Sequence, residues 1–131
     1  MVRCLCLLIV SVYACENDLI TSPLTISKET DGHAYRLELM ADPPPRLGLN
    51  MFSLTVNTLN GKAVSSAEIS VEPWMPLHGH GSDRPSLITE TGDGLYHLTE
   101  VSFTMPGQWE LRTQLTVDGL TEYAVFTVDV Q

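Results

Sequence analysis

Beyond residue 15 the chain has no cysteine; its three, Cys4, Cys6 and Cys15, crowd the amino terminus. Disulfides and thiolate-held metals are therefore excluded from residues 16–131, and stability there must come from a packed core. Positive charge is scarce: seven Lys and Arg stand against sixteen Asp and Glu, for a formal net charge of −9. Such a surface repels nucleic acid and anionic headgroups and tolerates cations, so no nucleic-acid partner is expected. No window keeps an apolar period near 3.6 for three turns, which leaves no amphipathic helix to build the frame. The chain also lacks a Gly-x-Ser-x-Gly elbow, a phosphate loop and a His-Glu-x-x-His helix. With its carboxylates scattered along strand-like runs, it reads as a binding protein without catalytic residues.

The first residues set the compartment. Arg3 is the only charge ahead of an apolar run over residues 4–10, which continues through Ser11-Val12-Tyr13-Ala14. This is a charged segment followed by a hydrophobic segment of signal-peptide length, too short to span a bilayer as a stable helix. Val12-Tyr13-Ala14-Cys15 resembles a bacterial lipoprotein box, with cleavage before Cys15 and a lipid on its sulfur; Tyr13 departs from the pattern. An ordinary secretory signal cleaved nearby, or an amino-terminal anchor, is the other reading. The organisation expected is a signal peptide at 1–14, a tether at 15–22 and one domain at 23–131. From Cys15 onward six Lys and Arg face sixteen Asp and Glu.

Past the tether, the chain reads as strands. Residues 24–28 and 35–40 flank the turn Thr30-Asp31-Gly32, and Asp42-Pro43-Pro44-Pro45 interrupts any ladder. Residues 49–58 alternate, with a bulge expected near Phe52, and Asn60-Gly61 is a hairpin signal. Residues 67–74 alternate again, with Ala67, Ile69 and Val71 on one face. Further strands are expected at 86–91, 95–103, 109–117 and 121–130, separated by Gly92-Asp93-Gly94, Pro106-Gly107 and Asp118-Gly119. Seven or eight short strands with turns every eight to twelve residues predict an all-β, antiparallel immunoglobulin-like sandwich. Asp93-Gly94-Leu95-Tyr96 resembles the start of an immunoglobulin-like strand whose Tyr hydroxyl ties a corner, and Trp74 and Trp109 are candidates for the layer between sheets.

Chemistry concentrates in Trp74-Met75-Pro76-Leu77-His78-Gly79-His80-Gly81, with a second Met-Pro turn at Met105-Pro106-Gly107. Consecutive antiparallel strands put alternate loops at one end, so loop 75–85 and turn 105–107 share an end with Asn50 and the carboxyl terminus. His33 and His97 are expected at the other, about 25–30 Å away. His78 and His80, two apart, can point the same way, and Gly79 and Gly81 let both rings turn onto one point. Met75 and Met105 would add thioethers. Imidazole with thioether suits copper, whereas zinc gains little from Met. The expected metal ligands are Met75, His78, His80 and Met105, with Asp83 supporting a ligand His. A His-Gly-His-Gly loop also serves as a plain flexible turn, and Met75 and Met105 as apolar plugs of the core.

The ordered set Gly48-Leu49-Asn50, Asn60-Gly61-Lys62-Ala63-Val64, Met75-Pro76 through Gly81, Gly92-Asp93-Gly94-Leu95-Tyr96 and Met105-Pro106-Gly107-Gln108-Trp109-Glu110-Leu111 resembles the YtkA-like domain over residues 45–130. That resemblance implies a small immunoglobulin-like sandwich of bacterial envelope proteins. The similar FixH-like proteins are associated with maturation of copper-containing respiratory oxidases. The family's loop, Met-Pro followed by a Met or His cluster, maps onto Met75, His78 and His80, and its turn Met onto Met105. Unlike FixH-like proteins, this chain shows no transmembrane helix after the signal region. The resulting expectation is an exported, lipid-anchored, periplasmic or cell-surface copper-binding protein, its partners being a copper ion, the membrane and an envelope protein. The alternatives are a metal-free interaction module with Leu77 and Trp74 as apolar anchors, or an accessory subunit of an envelope assembly.

Overall fold

The computed structural model describes residues 22–131. The segments expected to be a signal peptide, a lipoprotein box at Cys15 and most of a tether lie outside the described residues. Among the described residues nine strands run in order: β1 (Leu24–Glu29), β2 (Tyr35–Ala41), β3 (Gly48–Thr58), β4 (Glu68–Met75), β5 (His80–Gly81), β6 (Leu87–Gly92), β7 (Leu95–Phe103), β8 (Gly107–Val117) and β9 (Leu120–Val130). A five-stranded sheet has the order β1-β2-β3-β7-β6 and a four-stranded sheet the order β5-β4-β8-β9. All pairings are antiparallel. No helix among the described residues is long and apolar enough to cross a membrane.

The sheets close on one another because their strands alternate. Leu37, Leu39, Phe52, Leu54, Val56, Tyr96 and Leu98 point inward from the five-stranded sheet, and Trp109, Leu111, Leu115, Phe126 and Val128 from the other. The period of two breaks once, where Asn50 faces Val101 but Phe52 already faces Leu98. Met51 thus stands opposite both Thr99 and Glu100, and Glu100 takes a positive φ of 56°. This bulge is the irregularity expected near Phe52, and it turns Val101 and Phe103 inward where unbroken alternation would have sent them out.

Two expectations fail. Asn60-Gly61 makes a tight turn, with Gly61 N–H donating to the Thr58 carbonyl (2.9 Å), but not a hairpin between neighbouring strands. After the single bridge Asn57–Ala63 the chain crosses to the other sheet, where β4 pairs with β5 and β8. Trp74 is not between the sheets. It shares the outward parity of Ser70 and Glu72, is half-buried, and carries the Arg112 guanidinium 4.8 Å from its ring centroid. Trp109 alone of the two occupies the interlayer.

Tyr96 ties the crossing down, as its motif predicted. Its hydroxyl donates to the Val64 carbonyl (2.8 Å) and accepts from the Ala67 N–H (3.1 Å). Burial, and further off the Glu90 carboxylate, push the Tyr96 phenol above its ordinary value of 10, against the lowering effect of the Ala67 bond. A raised acid is stabilised in its protonated form, so this contribution is present below pH ~10 and lost as pH rises past it. Tyr96→Phe removes the hydroxyl and leaves both backbone groups without it; urea unfolding should show a loss of about 1–3 kcal/mol. Undiminished stability would mean water replaces the hydroxyl at no cost.

Candidate functional site

The end of the sandwich near β4, β5 and the β7–β8 turn gathers the predicted ligands. Met75 closes β4, and its carbonyl accepts the N–H groups of His78 (3.2 Å) and Gly79 (2.9 Å). That turn, with Gly79 at φ 66°, reverses the chain into β5, the two-residue strand that sequence periodicity does not reveal. The reversal sets Met75 directly opposite His80 and Trp74 opposite Gly81. Side chains so paired have Cβ atoms about 4.5–5.5 Å apart on the same face. For Met75 and His80 that face is the inner one: Met75 is 1% exposed, and the half-buried His80 ring meets the edge of Trp109 at a centroid distance of 5.8 Å.

His78 is exposed, and its ring lies 5.9 Å from that of His80, tilted by 40°. His80 Nδ1 is 3.2 Å from the Gly81 carbonyl. A carbonyl only accepts, so Nδ1 is the donor in this contact and Nε2 is the ring nitrogen left to face a metal. On the facing turn, Met105 is partly buried against the core, and its carbonyl accepts the Trp109 indole N–H at 2.9 Å. A Cβ on Gly107 would fall 2.9 Å from Met75 Cε, so the tip of Met75 lies against the turn that carries Met105. Gly107 holds φ 125°, which a side chain would oppose.

All four predicted ligands therefore share one end of the fold, with Met75 and His80 on the inner face, His78 outside and Met105 on the turn above. Asp83 does not support a ligand His. Its carboxylate lies 3.8 Å from Arg84 Nε, and the His80 ring is oriented by the Gly81 carbonyl instead. Among the described residues no three of His, Cys, Asp and Glu converge as metal ligands, so a metal at this end would need sulfur from methionine. Trp109 was missed as a part of this end; its place directly after the Met-Pro-Gly turn was the available signal.

The other histidines divide. His33 sits in the β1–β2 turn, where it and Arg36 bond Glu29 and hold that carboxyl below its ordinary range, Arg36 most strongly. The adjoining Gly32 N–H binds Glu122 near the start of β9, whereas Gly107 pairs with Val130 at the end of β9. Eight residues of strand put His33 about 26 Å from the Met105 turn. His97 is not at that far end: it pairs with Ser53, in the middle of β3, and faces outward between the buried Tyr96 and Leu98.

Two face-to-face antiparallel sheets, a Tyr-tied crossing and a loop cluster at one end define an immunoglobulin-like sandwich. The YtkA-like family profile matches residues 30–114, more than half of the chain, and the chain belongs to that family. The match reaches further toward the amino terminus than the motifs do and stops within β8, and it includes all four candidate ligands. The crystal structure of the Lin-41 filamin domain is similar, with a TM-score of 0.48 and 14% sequence identity over 72% of this chain and 91% of that one. No curated protein matches the chain in sequence.

Proposed function

We propose that this protein is an exported, lipid-anchored copper-binding protein of the bacterial envelope, which holds or hands over the ion through Met75, His78, His80 and Met105. The β4–β5 register carries the reading: it sets one thioether opposite one imidazole, with a second imidazole ring 5.9 Å from the first and a second thioether on the facing turn. Soft sulfur beside imidazole favours Cu(I), and the two imidazoles alone serve Cu(II). His78 in water and Met75 in the core form a path from solvent inward, suited to an ion that must enter and leave. Binding rather than catalysis is the expected role. A second reading, a metal-free docking module, draws on Leu77, which stands 85% exposed at the tip of the same loop; Trp74, under Arg112, is a poor anchor for it.

The test is Cu(I) titration against a competing chelator, on the full chain with its thiols alkylated. A tightest equivalent held at sub-nanomolar affinity is expected, with quenching of Trp109 emission on Cu(II) loading. His78→Ala with His80→Gln should lower the affinity at least about tenfold, the smallest loss typical of disturbing a metal site, while keeping most of the packing on Trp109. Unchanged affinity in that variant overturns the site and moves the reading to the docking module.

A further inference from the structure

The described residues hold four methionines and four histidines, and the Met75–Met105 end uses two of each. The remaining two methionines, Met40 and Met51, lie in exposed positions on strands, 42% and 64% exposed. An outward strand face ordinarily favours β-branched or polar residues, so two thioethers presented to water on neighbouring strands call for an explanation. Both stand beside His97. Met40 pairs with Ser53 across β2 and β3, and Ser53 pairs with His97 across β3 and β7, which makes one continuous row on the outer face of the five-stranded sheet. Across that row Met40 and His97 are about 10 Å apart at the backbone, a gap their side chains can close above the short Ser53. Met51, two residues from Ser53 on the same face, is diagonal to both at about 7–8 Å.

The bulge opposite Met51 belongs to this arrangement, since it bends β7 where Thr99 and Glu100 share one partner. Met40, Met51, Ser53 and His97, with Asp42 and Phe52, line a single hollow of about 170 Å³. We infer that this hollow is a second soft-metal site, in which Met40, Met51 and His97 bind Cu(I) or Ag(I). Two thioethers and one imidazole make a three-coordinate set for a monovalent d¹⁰ ion, and Asp42 adds a negative charge at the rim. The site lies on the outer face of the sheet, whereas Met75, His80 and Trp109 face inward, and it stands or falls independently of the proposed function.

The experiment is Ag(I) titration of the thiol-alkylated full chain in chloride-free buffer, with ¹³C-labelled methionine methyls and histidine rings followed by NMR. The Met40 and Met51 methyls and the His97 ring should shift together, saturating at one equivalent for this hollow. Met75, Met105, His78 and His80 report the other end separately. Met40→Leu with Met51→Leu should abolish the His97 shift, and His97→Gln should weaken the methyl response at least about tenfold. Far-UV circular dichroism checks that these surface variants stay folded. If Met40 and Met51 respond independently and only weakly, or if His97→Gln leaves their response unchanged, the hollow is not a metal site.

Discussion

Replacing Trp109 with Ala is expected to lower the free energy of unfolding by about 3–5 kcal/mol, the range for deleting a large buried aromatic. The indole is fully buried, packs against Phe103 at a centroid distance of 5.3 Å, meets His80 at 5.8 Å and donates to the Met105 carbonyl. One side chain thus joins the core to both loops of the candidate site. Trp109→Phe separates those roles. It keeps most of the volume but removes the N–H, so the loss should fall to about 1–3 kcal/mol, the cost of an unmade bond to a part-buried carbonyl. On the proposed copper reading, affinity should fall in the Phe variant as well, because the Met105 carbonyl loses its bond to β8. Urea unfolding and chelator competition on both variants measure the two effects. A Phe variant with unchanged stability and affinity would show that shape alone, without the indole N–H, holds this end.

Gly94→Ala is the second large effect. Gly94 sits in the β6–β7 turn with φ at 69°, and its carbonyl accepts the Val56 N–H at 2.8 Å. A Cβ there would lie 2.7 Å from the Val56 carbonyl oxygen, 3.0 Å from the Val64 nitrogen and 3.1 Å from Ala63 Cβ. Two of these neighbours are backbone atoms, one in β3 and one in the segment that changes sheets, so neither can move aside as a flexible side chain would. Left-handed strain and overpacking each cost about 1–3 kcal/mol, for a combined loss of about 2–6 kcal/mol. Gly119→Ala is the control: its φ is 81°, but nothing lies within 4 Å of the added methyl. Thermal and urea unfolding of the pair should show a clearly larger loss at Gly94. Equal losses would mean that strain dominates and that the close approach is relieved by small shifts.

Most of the fold was legible because alternation and turn chemistry agree along most of this chain. β7 spans Leu95–Phe103, the bounds expected from the turns on either side, and β8 and β9 depart from expectation by two residues or fewer at each end. The shared end of Met75 and Met105 came from counting antiparallel connections. The failures have physical causes. Asn60-Gly61 reads as a hairpin in sequence because a tight turn looks the same whether the next strand pairs back or crosses to the other sheet. β5 is too short to show a period, yet it sets the Met75–His80 register. The size of Trp74 points to the core, although its parity with Glu72 points outward. Nearness to a turn points His97 to the far end, whereas its parity between Tyr96 and Leu98 puts it on the sheet's outer face. The Met40–Ser53–His97 row depends on pairing between segments far apart in the chain, and no local pattern carries that.

β9 ends one sheet with eleven residues of strand, a length that invites a stray chain to add itself. Its open side is nevertheless interrupted. The Tyr123 carbonyl is taken by the Asp31 N–H and the Gln131 carbonyl by the Leu47 N–H, at 2.8 and 3.2 Å. Only Val125, Thr127 and Asp129 share that outward parity between the two bonds, and Asp129 brings a charge to the gap. A foreign strand would have to displace one of these clasps before it gained a usable register. In a domain without disulfides, two borrowed backbone bonds thus guard against polymerisation.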